Sequence, residues 1–250
     1  MRIILSPAKK MNTDTGSFAV CDLPLFLGRA ELLLAVLRAM EPHELKKLWK
    51  CNDQIAALNV ERLACMDLRR NLTPALFAYE GIAYQYMAPN VFTYDQLEYV
   101  AEHLRILSGF YGVLRPFDGV TPYRLEMGAK LSTGGYKDLY GFWGDSVAKA
   151  VCAESDLIVN LASKEYSQTV EKQLPPGVRF LTVVFSEHIG VKTVEKGTMC
   201  KMARGEMVRY MAENHIEQPE QMRSFDRLGY RFCAEESDEN TYTFIKEATT

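Results

Sequence analysis

Two short apolar runs, Arg2-Ile3-Ile4-Leu5 and Leu157-Ile158-Val159-Asn160-Leu161, constrain the fold of this chain more than any other feature. Each is too short for an ordinary helix and too continuously apolar for a strand with one wet face, so each reads as a buried strand. Strands of that kind belong to an α/β protein whose sheet is covered by helices. Both runs are followed by a serine. Ser6-Pro7 reads as a helix start with proline at the first helical position. Ser163 reads as the cap of a helix that runs to about Val170.

The rest of the chain supplies alternating elements. Helices are expected over Ala30–Ala39, His43–Lys50, Gln54–Met66, Tyr94–Leu104, Leu139–Ala153 and Cys200–Asn214. Ala30–Ala39 is apolar on nearly every side and should be buried. Strands are expected over Arg105–Ser108, Arg179–Ser186, Lys192–Glu195, Tyr230–Cys233 and Tyr242–Ile245. Residues 12–24 and 109–136 read as loops, the second rich in Gly, Pro and aromatics. No internal repeat or low-complexity linker divides the 250 residues, so one domain over 1–250 is expected, with a helical sub-lobe over 28–68. The longest fully apolar run, Leu32–Leu37, is far too short to span a bilayer. No signal-peptide pattern follows Met1, and the six scattered cysteines lack a CxxC pair. A cytoplasmic, membrane-free protein with free thiols is the expectation.

Four segments break local rules in a similar way. The first is Ser6-Pro7-Ala8-Lys9, where free N–H groups at a helix start would favour an anion with Lys9 beside them. A plain cap with a solvated lysine is the alternative. The second is Asn160-Leu161-Ala162-Ser163-Lys164-Glu165-Tyr166, at the carboxyl end of a strand, where ligands gather in open α/β sheets. Asn160 there needs a partner, which a neighbouring loop could equally supply. The third runs from Leu104 through Arg115-Pro116 to Tyr123-Arg124-Leu125-Glu126-Met127-Gly128. If its end is extended, Tyr123, Leu125 and Met127 face the core while Arg124 and Glu126 share the other face. Arginine forks suit phosphate or carboxylate, although Arg124–Glu126 or Arg115–Asp118 ion pairs could merely hold the loop. The fourth is Lys201-Met202-Ala203-Arg204, read as two cations in the first turn of a helix, against its dipole. A solvated helix edge is the alternative.

Other chemistries find little support. His43, His103, His188 and His215 lie far apart, without HExxH or Cys/His spacing. There is no GxGxxG, GxxxxGK[ST] or GxSxG. No metal or organic cofactor is expected. The net charge of −3 excludes a broadly basic nucleic-acid binder, so any anion site must be a local patch.

At these same residues the chain resembles the YaaA family of peroxide-stress resistance proteins, from Ile4 to about Phe244. The resemblance rests on Leu5–Lys9 (LSPAK), the block Leu104–Gly128, Leu139–Asp145, Asn160–Tyr166 and Lys201–Arg209. It implies a mixed sheet wrapped by helices, a helix-hairpin-helix-like segment and a positively charged cleft. It also implies binding of double-stranded DNA and a link to limiting free iron. The chain departs from the family pattern at Glu80 and Ile82, in place of a lysine and an aspartate, and at Gln54 and Met202, each in place of a lysine. The hairpin at Met40–Glu44 also lacks the glycine that would bare its N–H groups to phosphate.

Two readings follow. One is a monomeric stress protein whose cleft, lined by Ser6, Lys9, Arg115, Tyr123, Arg124, Asn160, Ser163, Tyr166, Lys201 and Arg204, binds duplex DNA. The other is an enzyme acting on a nucleotide or nucleobase in the same pocket, with Glu126 as its acid–base group.

Overall fold

The structure is a computed structural model that describes residues 1–189 and 192–246. Its centre is an eight-stranded mixed sheet. Across it run Tyr230–Phe232, Thr241–Lys246, Arg179–Ile189, Leu157–Asn160, Arg2–Leu5, Leu104–Ser108 and Gly112–Leu114, with Lys192–Val194 paired to Arg179–Ile189. The five strands from Thr241–Lys246 to Leu104–Ser108 are mutually parallel, and the edge pairings are antiparallel. Ile3 and Ile4 have no exposed surface, as expected of a parallel strand flanked by others and covered on both faces.

The order of the strands fixes where a ligand can sit. Leaving Arg2–Leu5, the chain returns in the sheet at Leu104–Ser108, on one side of it. Leaving Leu157–Asn160, the neighbour on the other side, it returns at Arg179–Ile189, farther still in that direction. The connections therefore diverge between Arg2–Leu5 and Leu157–Asn160. Such a switch point opens a crevice at the carboxyl ends of the two strands, where Ser6 and Ser163 follow.

Several local expectations are corrected. No helix starts at Ser6-Pro7; the chain stays irregular and Lys10–Met11 pairs with Tyr79–Glu80. A distant strand supplies hydrogen bonds that a helix would otherwise have to provide. The Leu139–Ala153 helix is two, Leu139–Trp143 and Ser146–Cys152, split at Gly144, whose φ of 52° and ψ of −129° are incompatible with a continuing helix. The 109–136 loop contains the strands Gly112–Leu114 and Gly119–Val120. The first long helix, Leu27–Arg38, buries Leu27, Ala30, Leu33, Leu34 and Leu37, yet leaves Leu32 60% exposed. After it come Pro42–Trp49, opened by a Glu41/Glu44 capping box, and Asp53–Cys65, capped by Asn52. Between them Lys50 takes the left-handed conformation, at φ 47°. No described helix is long and apolar enough to cross a membrane.

Candidate functional site: a cationic cavity at the strand switch point

A cavity of about 370 Å³ opens at the switch point. Ser6, Lys9, Tyr123, Arg124, Glu126, Ser163, Tyr166, Lys201 and Arg204 all line it. Four separate stretches of sequence thus meet in one place. Its size suits a small ligand rather than a macromolecular groove.

Each wall has a sequence cause. The Ser6 and Ser163 loops are tied together: the Ser163 N–H donates to Ser6 Oγ at 2.9 Å, and the Ser6 hydroxyl donates to Ser163 Oγ at 3.2 Å. The Tyr84 hydroxyl donates to the Ser6 carbonyl at 3.1 Å. Residues 123–127 alternate as expected, with Tyr123, Leu125 and Met127 buried and Arg124 and Glu126 half-buried. The segment lies flat because Gly109 carries no side chain: a Cβ there would fall 2.6 Å from the Leu125 carbonyl oxygen. The floor beneath it is pinned by hydroxyls. Ser108 Oγ accepts the N–H groups of Phe110 and Tyr111 and contacts Tyr123 Oη at 2.7 Å, and Tyr123 meets Tyr79 at 2.8 Å. Burial pushes Tyr84, Tyr123 and Tyr166 well above the ordinary tyrosine range, so the floor is polar but uncharged at neutral pH.

The third wall is the helix Gly197–Glu213, which begins earlier than its sequence pattern implies. Lys201 and Arg204 therefore lie beyond its first turn, and the argument from an opposed dipole lapses. What brings them to the cavity is Gly205. A Cβ there would overlap the Ala83 carbonyl, so this helix and Ile82–Met87 meet backbone to backbone.

The charges are unevenly satisfied. Lys9 Nζ is 2.9 Å from Glu126 Oε2, a bridge across the mouth. Arg124 is held more loosely, with Nη2 4.0 Å from Glu126 Oε1, although its side chain is only 11% exposed. Arg204 is 17% exposed and 3.9 Å from Glu195. Burial lowers its pKa, the sign of a guanidinium short of solvent. The Nε atoms of both arginines are buried without a hydrogen-bond partner. Counted together, the lining holds Lys9, Lys10, Arg124, Lys201 and Arg204 against Glu80, Glu126 and Glu165, a balance of +2 in a chain of net charge −3.

Two expected members stand elsewhere. Arg115 lies at a second, smaller cavity, where its Nη2 approaches Glu154 Oε1 at 3.5 Å. The ion-pair alternative held for it, with a different partner: Asp118 instead accepts the Arg115 backbone N–H at 2.8 Å. Asn160 is spent on the fold. Its Oδ1 accepts the Ala162 N–H at 2.9 Å, and its Nδ2 lies 3.5 Å from Thr182 Oγ1. Sequence reasoning missed Lys10, Glu80, Tyr84 and Glu165. Glu165, which accepts the Gly128 N–H at 2.8 Å, sits inside the NLASKEY run and was within reach. Tyr84 was not, because nothing local tells a lining tyrosine from a core one.

All six cysteines are free. Among the described residues no group of three or more His, Cys, Asp or Glu could hold a metal ion.

Fold and cavity together define an α/β protein with a recess of net positive lining charge at its strand switch point. Comparison of sequences makes this more specific. The model of the family described as peroxide stress protein YaaA matches residues 1–236, and the chain belongs to that family. It is 54% identical over 99% of both chains to a UPF0246 protein of Agathobacter rectalis. It is 51% identical to one of Lachnoclostridium phytofermentans, over 98% of this chain and 96% of the relative. It is 50% identical to UPF0246 protein DSY0297 of Desulfitobacterium hafniense, over 98% of both.

Proposed function

We propose that this member of a peroxide-stress family acts by binding a nucleotide-class ligand, an aromatic ring carrying an anionic group, in the cavity at the strand switch point. One observation carries the reading: Arg124 and Arg204 are nearly buried in a single small cavity, and neither guanidinium makes a hydrogen bond, the nearest carboxylate oxygens standing 4.0 and 3.9 Å away. Leaving a buried charged donor unpaired costs ~2 kcal/mol or more, which an anion recovers on binding. Tyr84, Tyr123 and Tyr166 supply the surface for a ring.

Glu126 faces the same space and is the acid–base candidate should the ligand turn over. Glu126→Gln should keep binding and abolish any turnover.

Duplex DNA is the second reading, favoured by the exposed Lys9, Lys10 and Lys201 around the mouth. A duplex is too wide to enter and would meet these lysines alone. Its affinity should then fall with salt at a logarithmic slope of roughly −3, at about 0.9 per phosphate. Calorimetry with nucleosides, nucleoside monophosphates and a short duplex tests both readings, using wild type and Arg204→Ala. The nucleotide reading expects monophosphate binding that Arg204→Ala weakens at least tenfold. Duplex binding with no response to any mononucleotide would overturn it.

A further inference from the structure

The direction of the hydrogen bonds in the cavity limits what its ligand can be. The Ser6 hydroxyl donates to Ser163 Oγ, which leaves the Ser163 proton free to point into the cavity. Ser163 heads the helix Lys164–Glu171, yet its side chain makes no capping bond, so its hydroxyl is not spent on the helix. Tyr166 lines the cavity as well, and no described side chain accepts from its hydroxyl, so its proton too is free to donate. The guanidinium groups of Arg124 and Arg204 also line the cavity and make no hydrogen bond, their Nη2 atoms standing 4.0 and 3.9 Å from the nearest carboxylate oxygens. Four donor side chains thus line one cavity, on three different elements.

We propose, resting on the nucleotide reading above, that the cavity takes a terminal phosphate monoester, and that Ser163, Tyr166, Arg124 and Arg204 together form its phosphate seat. Only a group with several acceptor oxygens matches four converging donors. A carboxylate offers about four lone pairs, but all in one plane, so donors on three elements around it are not matched, and a neutral carbonyl offers two. A phosphate monoester presents three terminal oxygens and ~1.5 to 2 negative charges near neutral pH. A diester presents two, with one charge, and its chain must leave in both directions, which a recess closed on three walls does not permit. The position agrees with the topology, because phosphates in α/β proteins lie where a strand hands over to a helix at the switch point.

A free nucleotide and the phosphorylated end of a nucleic-acid strand carry the same group, and the test separates them. Binding to the whole chain is measured by calorimetry for adenosine, adenosine 5′-monophosphate, adenosine 3′-monophosphate, inorganic phosphate and a dinucleoside diester. A short single strand is tested with and without a 5′-phosphate. The expected result is a monophosphate bound at least tenfold more tightly than the nucleoside or the diester. Its affinity should fall as pH drops through about 6, where the monoester takes up a proton, while diester binding stays flat. Ser163→Ala and Tyr166→Phe should each reduce that preference about tenfold while leaving nucleoside affinity unchanged. Arg204→Lys, which keeps the charge and removes the planar fork of donors, should do the same without the risk of an emptied core.

If the 5′-phosphorylated strand outcompetes the mononucleotide, the source is a strand end. If the mononucleotide wins, it is a free nucleotide. Nucleoside bound as tightly as its monophosphate would overturn the phosphate seat and leave the nucleotide reading standing. No binding by any of these ligands would overturn both.

Discussion

Gly205→Ala should push two walls of the cavity apart. The new Cβ would lie 2.7 Å from the carbonyl carbon of Ala83 and closer still to its oxygen, whereas ordinary contact begins at 3.4 Å. The helix carrying Lys201 and Arg204 must therefore retreat by at least 0.7 Å, the difference between those two distances. Neither side of the contact has a flexible end that can swing away, so the cost belongs at the top of the overpacking range, ~3 kcal/mol. For a chain of this length that lowers Tm by roughly 6–12 °C. A shift of this size also takes Arg204 out of hydrogen-bonding range of a ligand seated on the opposite wall, so nucleotide affinity should fall at least tenfold. Gly28→Ala is the control. It too lies in a helix, nothing stands within 4 Å of its added Cβ, and it should stabilise by ~0.5–1 kcal/mol. Thermal melts and calorimetry on both variants decide the matter. A Gly205→Ala protein with unchanged Tm and affinity would refute the claim that backbone contact positions Arg204.

The remaining predictions concern the smaller cavity and acidity. Arg115→Ala should leave nucleotide binding unchanged, because Arg115 lies outside the main cavity; calorimetry showing a loss above threefold would contradict its placement. Glu154→Gln should destabilise by ~3–5 kcal/mol in denaturant melts, because Glu154 is the carboxylate partner of the buried Arg105, which it meets at 2.5 Å. Asp118 is pushed up to about 6, chiefly by burial and against the pull of Arg115. A carboxyl with a raised folded pKa lends stability that is fully present below its unfolded pKa near 4 and lost as pH rises through about 6. The distance between 3.8 and about 6 corresponds to ~3 kcal/mol at most. Asp118→Asn should therefore gain most over wild type above pH 7 and lose that advantage by pH 4; a gain independent of pH would refute the buried-charge account.

Much of this site was legible because its pieces obey local rules. The strand at Leu157–Asn160, the alternation through 123–127 and the serine at each strand end follow from side-chain periodicity and capping, which neighbouring residues fix. The failures were all non-local. Whether Ser6-Pro7 begins a helix depends on Tyr79–Glu80, some seventy residues away, offering Lys10–Met11 a strand partner. Arg115 and Arg124 look alike in sequence, both in one loop with an acidic residue nearby. Only the third dimension brings Glu154 to the first and the helix Gly197–Glu213 to the cavity of the second. The wall at Ile82–Met87 was invisible for the same reason: the role of Tyr84 depends on the contact of its helix with Gly205.

The rim of the cavity carries one substitution that bears on duplex binding. Where the family pattern has lysine, this chain has Glu80, and Lys10 Nζ lies 2.7 Å from its carboxylate. The pair is 72% and 40% exposed, so its contribution to stability is small, and its main effect is on the charge at the mouth. Glu80 adds a negative charge and also occupies one of the exposed lysines. Glu80→Lys removes one negative charge and adds one positive, so a fourth cation joins Lys9, Lys10 and Lys201 at the mouth. The logarithmic salt slope for duplex binding should steepen by roughly one, and affinity at low salt should rise at least tenfold. Binding of a mononucleotide, held deeper by Arg124 and Arg204, should change far less than threefold at 0.15 M salt, where a Debye length of ~8 Å screens the rim. Fluorescence anisotropy of a labelled duplex across a salt series, beside calorimetry with the mononucleotide, measures both. An unchanged slope in Glu80→Lys would mean that the mouth does not touch a duplex. Equal gains for duplex and mononucleotide would mean that rim and recess are one electrostatic site, and the division of the surface between them would fail.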